Sequence, residues 1–365
     1  MRMSSKSVWE SRTSRALASH GWVLACALAL GVGGCSSAAE DDAVDGALTG
    51  AAGDGAEFDE PPGEDGGGAD DGGGSDSAGT GAPPDPGQSG DDAGDGAGPE
   101  MKAGCPDAMP DGWIFCEDFE SVQDPIERFF EYADADGRFR LVEGMGASGI
   151  HSMASTYAEG QEGAGLLIVS FGESPLDHGV RPTYAPLENF DEVYWRFRVR
   201  MEQGWPDIGP GRLSRAMSFA AEDWSEAFVA HVASAGEATT LAVTPQTCVA
   251  AGDVTCQGYD DAAGLESIGG LVGQTELFSS QASGQWHCVE VHMRLNTPSK
   301  SDGLLEFWVD DFPEAATDAL DWRGEWQAYG INAVAIENLW PGGAPLGLTR
   351  WIDDIVVSTQ PIGCE

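Results

Sequence analysis

The sequence predicts an all-β protein, a two-sheet antiparallel β-sandwich, and three observations lead there. Apolar segments are short, often alternate with polar residues, and are separated by Gly, Pro, Asn and Asp clusters. Between Gln285 and Asp311, "QWHCVEVHMRL", the polar break "NTPSKSDG" and "LLEFWVDD" have the pattern of two strands joined by a tight loop. A single segment, "DPIERFFEYADA", has a weak helical pattern, which argues against alternating β and α units.

In chain order, strands are expected at "GWIFCEDFE", "FRLVEG", "GLLIVSFG", "VYWRFRVRM", "RAMSFAA", "AFVAHVAS" and "TLAVTP", then at the opening pair, then at "NAVAIEN" and "RWIDDIVVS". Successive strand side chains point to opposite faces. In "VYWRFRVRM" this puts Trp195, Phe197, Val199 and Met201 on a core face and Tyr194, Arg196, Arg198 and Arg200 on the other. In "QWHCVEVHMRL" the core face is His287, Val289, Val291, Met293 and Leu295; Cys288, Glu290, His292 and Arg294 face away. In the partner strand Leu305, Phe307 and Val309 alternate with Leu304, Glu306, Trp308 and Asp310. Of the 12 tryptophans, all but Trp9 and Trp22 follow residue 100, enough for a large core, a sugar-facing surface, or both.

The N-terminal third is organised differently. Residues 1–34 carry Arg2, Lys6, Arg12 and Arg15 ahead of the apolar run "GWVLACALALGVGG", the layout of an export signal too short to span a bilayer. It ends at "VGGCSS", which marks Cys35 as the lipidated first residue of a mature lipoprotein; Cys26, after "VLA", is the weaker cleavage site because its apolar core would be broken by Ser19 and His20. Simple secretory cleavage and an uncleaved signal anchor are the other readings. Residues 35–100 are dominated by Gly, Asp, Ala, Ser and Pro, without Lys or Arg and with few large apolar side chains besides Phe58, a composition that cannot offset chain entropy and reads as a disordered acidic tether. Its Asp-rich runs lack the spaced order of a calcium loop and read as a solvated spacer. Residues 101–365 then form one domain with no second linker.

The chain has 18 Lys and Arg against 61 Asp and Glu, a net charge of −43. Nucleic acid is therefore excluded as a partner. An acidic polysaccharide is opposed by the same field, but screening over about 8 Å lets a local basic patch prevail. Arg196, Arg198 and Arg200 form such a patch, about 7 Å apart along one strand face; the competing reading pairs them with acids on neighbouring strands. Elimination from a uronic-acid polymer needs a cation to neutralise the carboxylate and a base for the C5 proton. Arg198 is the candidate neutraliser, and His231 in "AFVAHVAS" and His292 in "CVEVHMRL" are the candidate bases, against the blander reading of both as structural histidines. Glycoside hydrolysis needs two carboxylates on one strand face, and "EDFES" and "EDWSE" have the wrong spacing. Binding without chemistry asks less: Trp308, Trp340, Asn332, Asn338, Glu290 and Arg294, with the arginine stripe, are candidates for a sugar-stacking surface.

Of the 8 cysteines, Cys26 and Cys35 lie in the N-terminal segment, and an even number remains in an exported domain, the signature of disulfides. Cys248 and Cys256 close a short loop and form the first expected bond. No cysteine pair has zinc-site spacing.

The order "W-H-x-V-E…L-N-T-P…D-G…W-V-D", with "FCEDFES" and "WIDDIVV" near the domain's two ends, resembles jelly-roll polysaccharide lyases of the alginate and glucuronan lyase type, within the concanavalin A-like lectin and glucanase group. The resemblance implies a concanavalin A-like jelly roll and a polysaccharide partner. It implies that the first and last strands pair, which would bring Cys105 to Cys364 and leave Cys116 to Cys288; the rival pairing, Cys105 with Cys116 and Cys288 with Cys364, stays open. It also implies a structural calcium, for which Glu117, Asp118, Glu120, Ser148, Asp353 and Asp354 are the candidate ligands. The chain departs from the lyase pattern in having no Tyr-x-Tyr strand, and beyond the signal its lysines are Lys102 and Lys300. The expectation is thus a lipoprotein anchored through Cys35 to the cell envelope, at the outer membrane or cell surface, whose jelly roll binds polysaccharide. An active lyase and a structural or adhesive surface protein are the alternatives, and no sequence feature sets the oligomeric state.

Overall fold

The computed structural model describes residues 104–364; the expected signal peptide, Cys35 and the tether of residues 35–100 lie outside them. The described residues form a two-sheet antiparallel β-sandwich, a jelly roll with 8 strands in each large sheet. Sheet A runs in space Phe312–Leu320, Gly303–Val309, Trp286–Arg294, Glu192–Met201, Leu348–Ser358, His151–Tyr157, Phe139–Glu143, with Trp113–Glu117 also paired to Leu348–Ser358. Sheet B runs Glu266–Ser267, Leu241–Thr247, Glu226–Ser234, Arg212–Phe219, Ala333–Leu339, Gly163–Ser170, Glu131–Ala133, with Leu271–Val272 also on Leu241–Thr247.

The expected hairpin forms with Val289 opposite Val309 and Met293 opposite Leu305. Its inner faces behave as the alternation requires: Val289, Val291, Met293, Leu305, Phe307 and Val309 are buried with Trp195, Phe197 and Val199 of the neighbouring strand. From sheet B, Leu213, Ala216, Phe228, Ala230, Val232, Leu167 and Val334 close the same core. Each fully buried large side chain contributes about 1.5–3 kcal/mol relative to an exposed one.

Sheet B is covered on its other face as well. Met217, Phe219, Val229, Ala333, Ala335, Leu166 and Ile168 form a second apolar cluster under Phe130, Leu176, Leu265 and the Cys248–Cys256 bond. Burial on both faces explains why "RAMSFAA", "AFVAHVAS" and "NAVAIEN" are nearly continuous apolar runs rather than clean alternations. The segment with a weak helical pattern becomes a short 3-10 turn, Pro125–Glu127, followed by the strand Glu131–Ala133. The turn is capped by Asp124, and Phe129 and Phe130 are then drawn into the two apolar clusters, a tertiary demand that overrides local helix preference.

The first and last strands pair as expected, Cys116 opposite Val356 and Glu117 opposite Ile355. The disulfides nevertheless follow the rival pattern: Cys105–Cys116, Cys248–Cys256 and Cys288–Cys364. The expectation of Cys105–Cys364 and Cys116–Cys288 is corrected by chain direction. The residues before the first strand fold back so that the Cys105 N–H meets Asp118 at 2.8 Å, at the strand's far end. The chain beyond Ser358 leaves from the end opposite Trp113, and crosses toward Cys288.

Candidate functional site

Three strands of sheet B bring an ionisable cluster into the otherwise apolar outer face. Arg215 and His231 are cross-strand partners, and Glu337 comes from the strand on the other side of Arg215. Arg215 is fully buried; its Nε lies 3.2 Å from Glu337 and its Nη1 3.3 Å from Glu226 and 3.4 Å from Asp260. Arg212 pairs with Asp260 at 2.7 Å. Above them residues 257–264 lay Tyr259 across the cluster: the Arg215 guanidinium stands 4.0 Å from its ring centroid, and its hydroxyl donates to Glu337 at 3.1 Å. The His231 Nδ1 lies 3.9 Å from Glu337, and neither ring nitrogen has a hydrogen-bond partner among the described residues.

Electrostatics assigns protonation states. Burial, reinforced by Arg215 and Arg212, holds the His231 pKa well below the usual imidazole value, so the ring is neutral near pH 7. Burial pushes the Tyr259 hydroxyl well above its ordinary value despite Arg215, keeping it a donor. Burial raises Glu226 to about 7 even against Arg215. For Asp260 burial is overruled by Arg215 and Arg212, and its carboxyl stays ionised well below the usual range. A neutral imidazole, a protonated phenol and a guanidinium therefore converge, linked through Glu337. Such a set can accept a proton, donate one, and hold a carboxylate.

The residues expected from sequence divide among three places. His231 belongs to this cluster. Arg196, Arg198, Glu290, His292 and Trp308 lie on the outer face of sheet A instead, the far side of the sandwich. There the arginine stripe meets the chain's own C-terminal segment: Arg196 donates to the Gly363 carbonyl at 2.9 Å and Arg198 to that of Cys364 at 2.6 Å, while Glu290 accepts the N–H groups of Ile362 and Gly363. Arg198 also pairs with Asp354 at 3.0 Å, and Arg200 packs on Trp351. His292 sits between Glu192 and Glu306, at 2.7 Å from each, and stacks on Tyr194. Trp308 is half-buried opposite Glu290, and Arg294 is exposed beside a cavity of about 420 Å³ lined also by Asn296, Thr297 and Asp302.

Asn332, Asn338 and Trp340 are buried, which corrects their placement on a sugar-facing surface. Asn332 satisfies both backbone groups of Phe219. Asn338 accepts from the buried Arg350 and donates to Gly165. Trp340 packs on Trp205 and Tyr157. The two histidines proposed as bases thus occupy opposite faces and cannot serve one groove, and Arg198 is not beside His231.

The sequence reading missed Arg215, Glu226, Tyr259, Asp260 and Glu337. For Arg215 and Glu337 a signal existed: a charge inside an almost unbroken apolar strand is more informative than one on an alternating strand. Tyr259 and Asp260 lie in a loop whose place no local pattern sets.

The expected calcium ligands form a different corner. Asp118, Ser148 and Asp354 converge on Gly104, where an added Cβ would lie 2.5 Å from Ser148 Oγ and 2.7 Å from Asp354 Oδ1. Each carboxylate already accepts within the protein: Asp353 Oδ2 from Ala147, Asp354 Oδ1 from Ser148, Asp118 from Cys105 and Glu120, Glu120 from Ile150 and His151, and Glu117 Oε1 from Phe119. Among the described residues no group of three or more His, Cys, Asp or Glu side chains is disposed to hold a metal. Burial, then the adjacent Asp354, raises the Asp353 pKa to about 8. A carboxyl raised in the fold favours folding when protonated, so this contribution is complete below about pH 4 and is lost as pH rises toward 8. Urea denaturation should show this fall in wild type and a flatter profile in Asp353→Asn; equal slopes would remove Asp353 as its cause.

The described residues define a two-sheet antiparallel jelly roll. Solved structures similar to this chain include an endo-β-1,4-glucuronan lyase from Trichoderma reesei, at 12% identity and TM-score 0.44, covering 67% of this chain and 95% of that one. They also include a PL-14 alginate lyase from Aplysia kurodai, at 11% identity and TM-score 0.47, covering 68% and 99%, and an alginate lyase from Chlorella virus, at 9% identity and TM-score 0.46, covering 68% and 100%. No family model and no curated relative matches the chain.

Proposed function

We propose that the domain binds a polysaccharide on the outer face of sheet B, with Arg212, Arg215, His231 and Tyr259 as the polar centre of that face. The observation that carries this reading is the buried ionisable cluster. A purely structural sandwich would close this face with apolar side chains, since burying several charges costs more than packing hydrocarbon. Strongly shifted groups gathered on one face are the usual mark of a working site.

A second reading, β-elimination from a uronic-acid polymer, is favoured by the protonation states. Arg215 would neutralise the uronate carboxylate, neutral His231 would take the C5 proton, and Tyr259 would protonate the O4 leaving group as the C4–O bond breaks and the C4–C5 double bond forms. The test for both is to offer the full-length protein a panel of acidic and neutral polysaccharides, following retention and the ultraviolet absorbance of unsaturated uronate. Retention with absorbance supports the lyase, retention alone supports the binder, and retention of no glycan rejects both.

Anchoring through a lipidated Cys35, and hence a place at the cell envelope, belongs to the same reading and rests on "VGGCSS" after the apolar run. Labelled fatty acid should enter wild type and not Cys35→Ser.

A further inference from the structure

Residues 257–264 cover the cluster and are held there in a particular way. Cys256 ties the loop's start to Cys248 at the end of the Leu241–Thr247 strand. Asp260 then reaches down: one carboxylate oxygen accepts from Arg212 at 2.7 Å, the other lies 3.4 Å from Arg215, and its own N–H donates to Glu226 at 3.0 Å. Two guanidinium groups gripping one carboxylate is how proteins hold carboxylate ligands. To reach them Asp260 adopts a left-handed backbone, φ 56°, which costs a non-glycine residue about 1 kcal/mol. Asp261 fastens the loop by accepting the N–H groups of Gln257, Ala263 and Gly264.

What lies beneath is not used up by this loop. Both His231 ring nitrogens and the Arg215 Nη2 are buried without a hydrogen-bond partner among the described residues. Unused buried capacity of this kind costs about 1–3 kcal/mol per group and is retained where a ligand satisfies it. The charges point the same way. Arg212 and Arg215 face Asp260, Glu226 and Glu337. A ligand carboxylate replacing Asp260 leaves that balance unchanged, whereas one arriving beside it adds a further negative charge to two cations already committed.

We propose that Asp260 is an internal stand-in for the carboxylate of an acidic sugar, and that residues 257–264 are a plug which such a glycan displaces. The inference rests on the glycan-binding reading above and adds the element that gates it. The loop swings away on the Cys248–Cys256 tether, Arg212 and Arg215 exchange one carboxylate for another, and His231 gains a hydrogen-bonding partner.

The test compares full-length wild type, Asp260→Asn and Asp261→Ala for binding of alginate or polyglucuronate oligosaccharides and of neutral cello-oligosaccharides. Asp261→Ala loosens the loop while leaving Asp260 and both arginines in place, so the test does not depend on one variant folding. Both variants should bind the acidic oligosaccharides about tenfold more tightly than wild type, equivalent to about 1.4 kcal/mol, with neutral ones unchanged and faster amide exchange across residues 257–264. Acidic binding equal to or weaker than wild type in the folded variants overturns the plug while leaving the glycan-binding reading intact. Equal gains for neutral and acidic glycans overturn the carboxylate mimicry. Absence of glycan binding by all three proteins rejects the underlying reading and the plug with it.

Discussion

Replacing Arg215 by Met should destabilise the domain by about 3–5 kcal/mol, the cost of leaving buried carboxylates without their cation. Arg215 is fully buried and stands within 3.4 Å of Glu226, Asp260 and Glu337. Its long stem is replaced almost isosterically, so the loss would be electrostatic rather than a cavity. Urea denaturation near pH 8 is the measurement. The deficit should shrink as pH falls from 8 toward the wild-type Glu226 pKa of about 7, because in the variant that carboxyl, no longer held down by Arg215, takes up a proton instead of remaining an unpaired charge. Adding Glu226→Gln to Arg215→Met should recover part of the loss, since it removes one of the stranded charges. A deficit that is small, or independent of pH, would mean that water reaches the cluster and that its burial is not what sets its energetics.

Removing the Cys288–Cys364 bond should have an effect of similar size by another route. It closes a loop with a sequence separation of 76, for which the chain-entropy model gives about 4.5 kcal/mol. The Cys248–Cys256 bond, with a separation of 8, should contribute about 2–3 kcal/mol. The longer bond also fastens residues 361–364 over the arginine stripe, where Gly363 and Cys364 carbonyls accept from Arg196 and Arg198. The Cys288→Ala/Cys364→Ala protein should therefore unfold at lower urea and expose Arg196 and Arg198 to guanidine-directed labelling while still folded. Protection of both arginines in the folded variant would show that Glu290 and Asp311, which accept the segment's N–H groups, hold it without the disulfide.

The legible parts of the site were those governed by neighbours in sequence. His231 was placed on a strand, and that strand forms over Glu226–Ser234, while the face it takes was left open. The arginine stripe was placed correctly on the non-core face of Glu192–Met201, but which object covers that face depends on where the C-terminal segment travels. Asn338 and Trp340 illustrate the opposite limit. Polar and aromatic types suggested a sugar surface, yet Asn338 is consumed by Arg350 and Trp340 by the core, partners from distant parts of the chain. Arg350 itself, fully buried with its guanidinium on Asn338 and backbone carbonyls, carries no local sequence sign of that role.

The sequence by itself determined the antiparallel sandwich, the hairpin Trp286–Val309 with its register of inward residues, and the short Cys248–Cys256 loop. These follow from periodicity and turn chemistry, which act over a few residues and are written directly in the chain. Only the tertiary structure decided that sheet B is buried on both faces, that Cys105 turns back to Cys116, and that Arg215, His231 and Glu337 meet beneath Tyr259 and Asp260. Those outcomes depend on which strands become neighbours and where loops return, and a side chain's alternation sets its face without setting what lies opposite it.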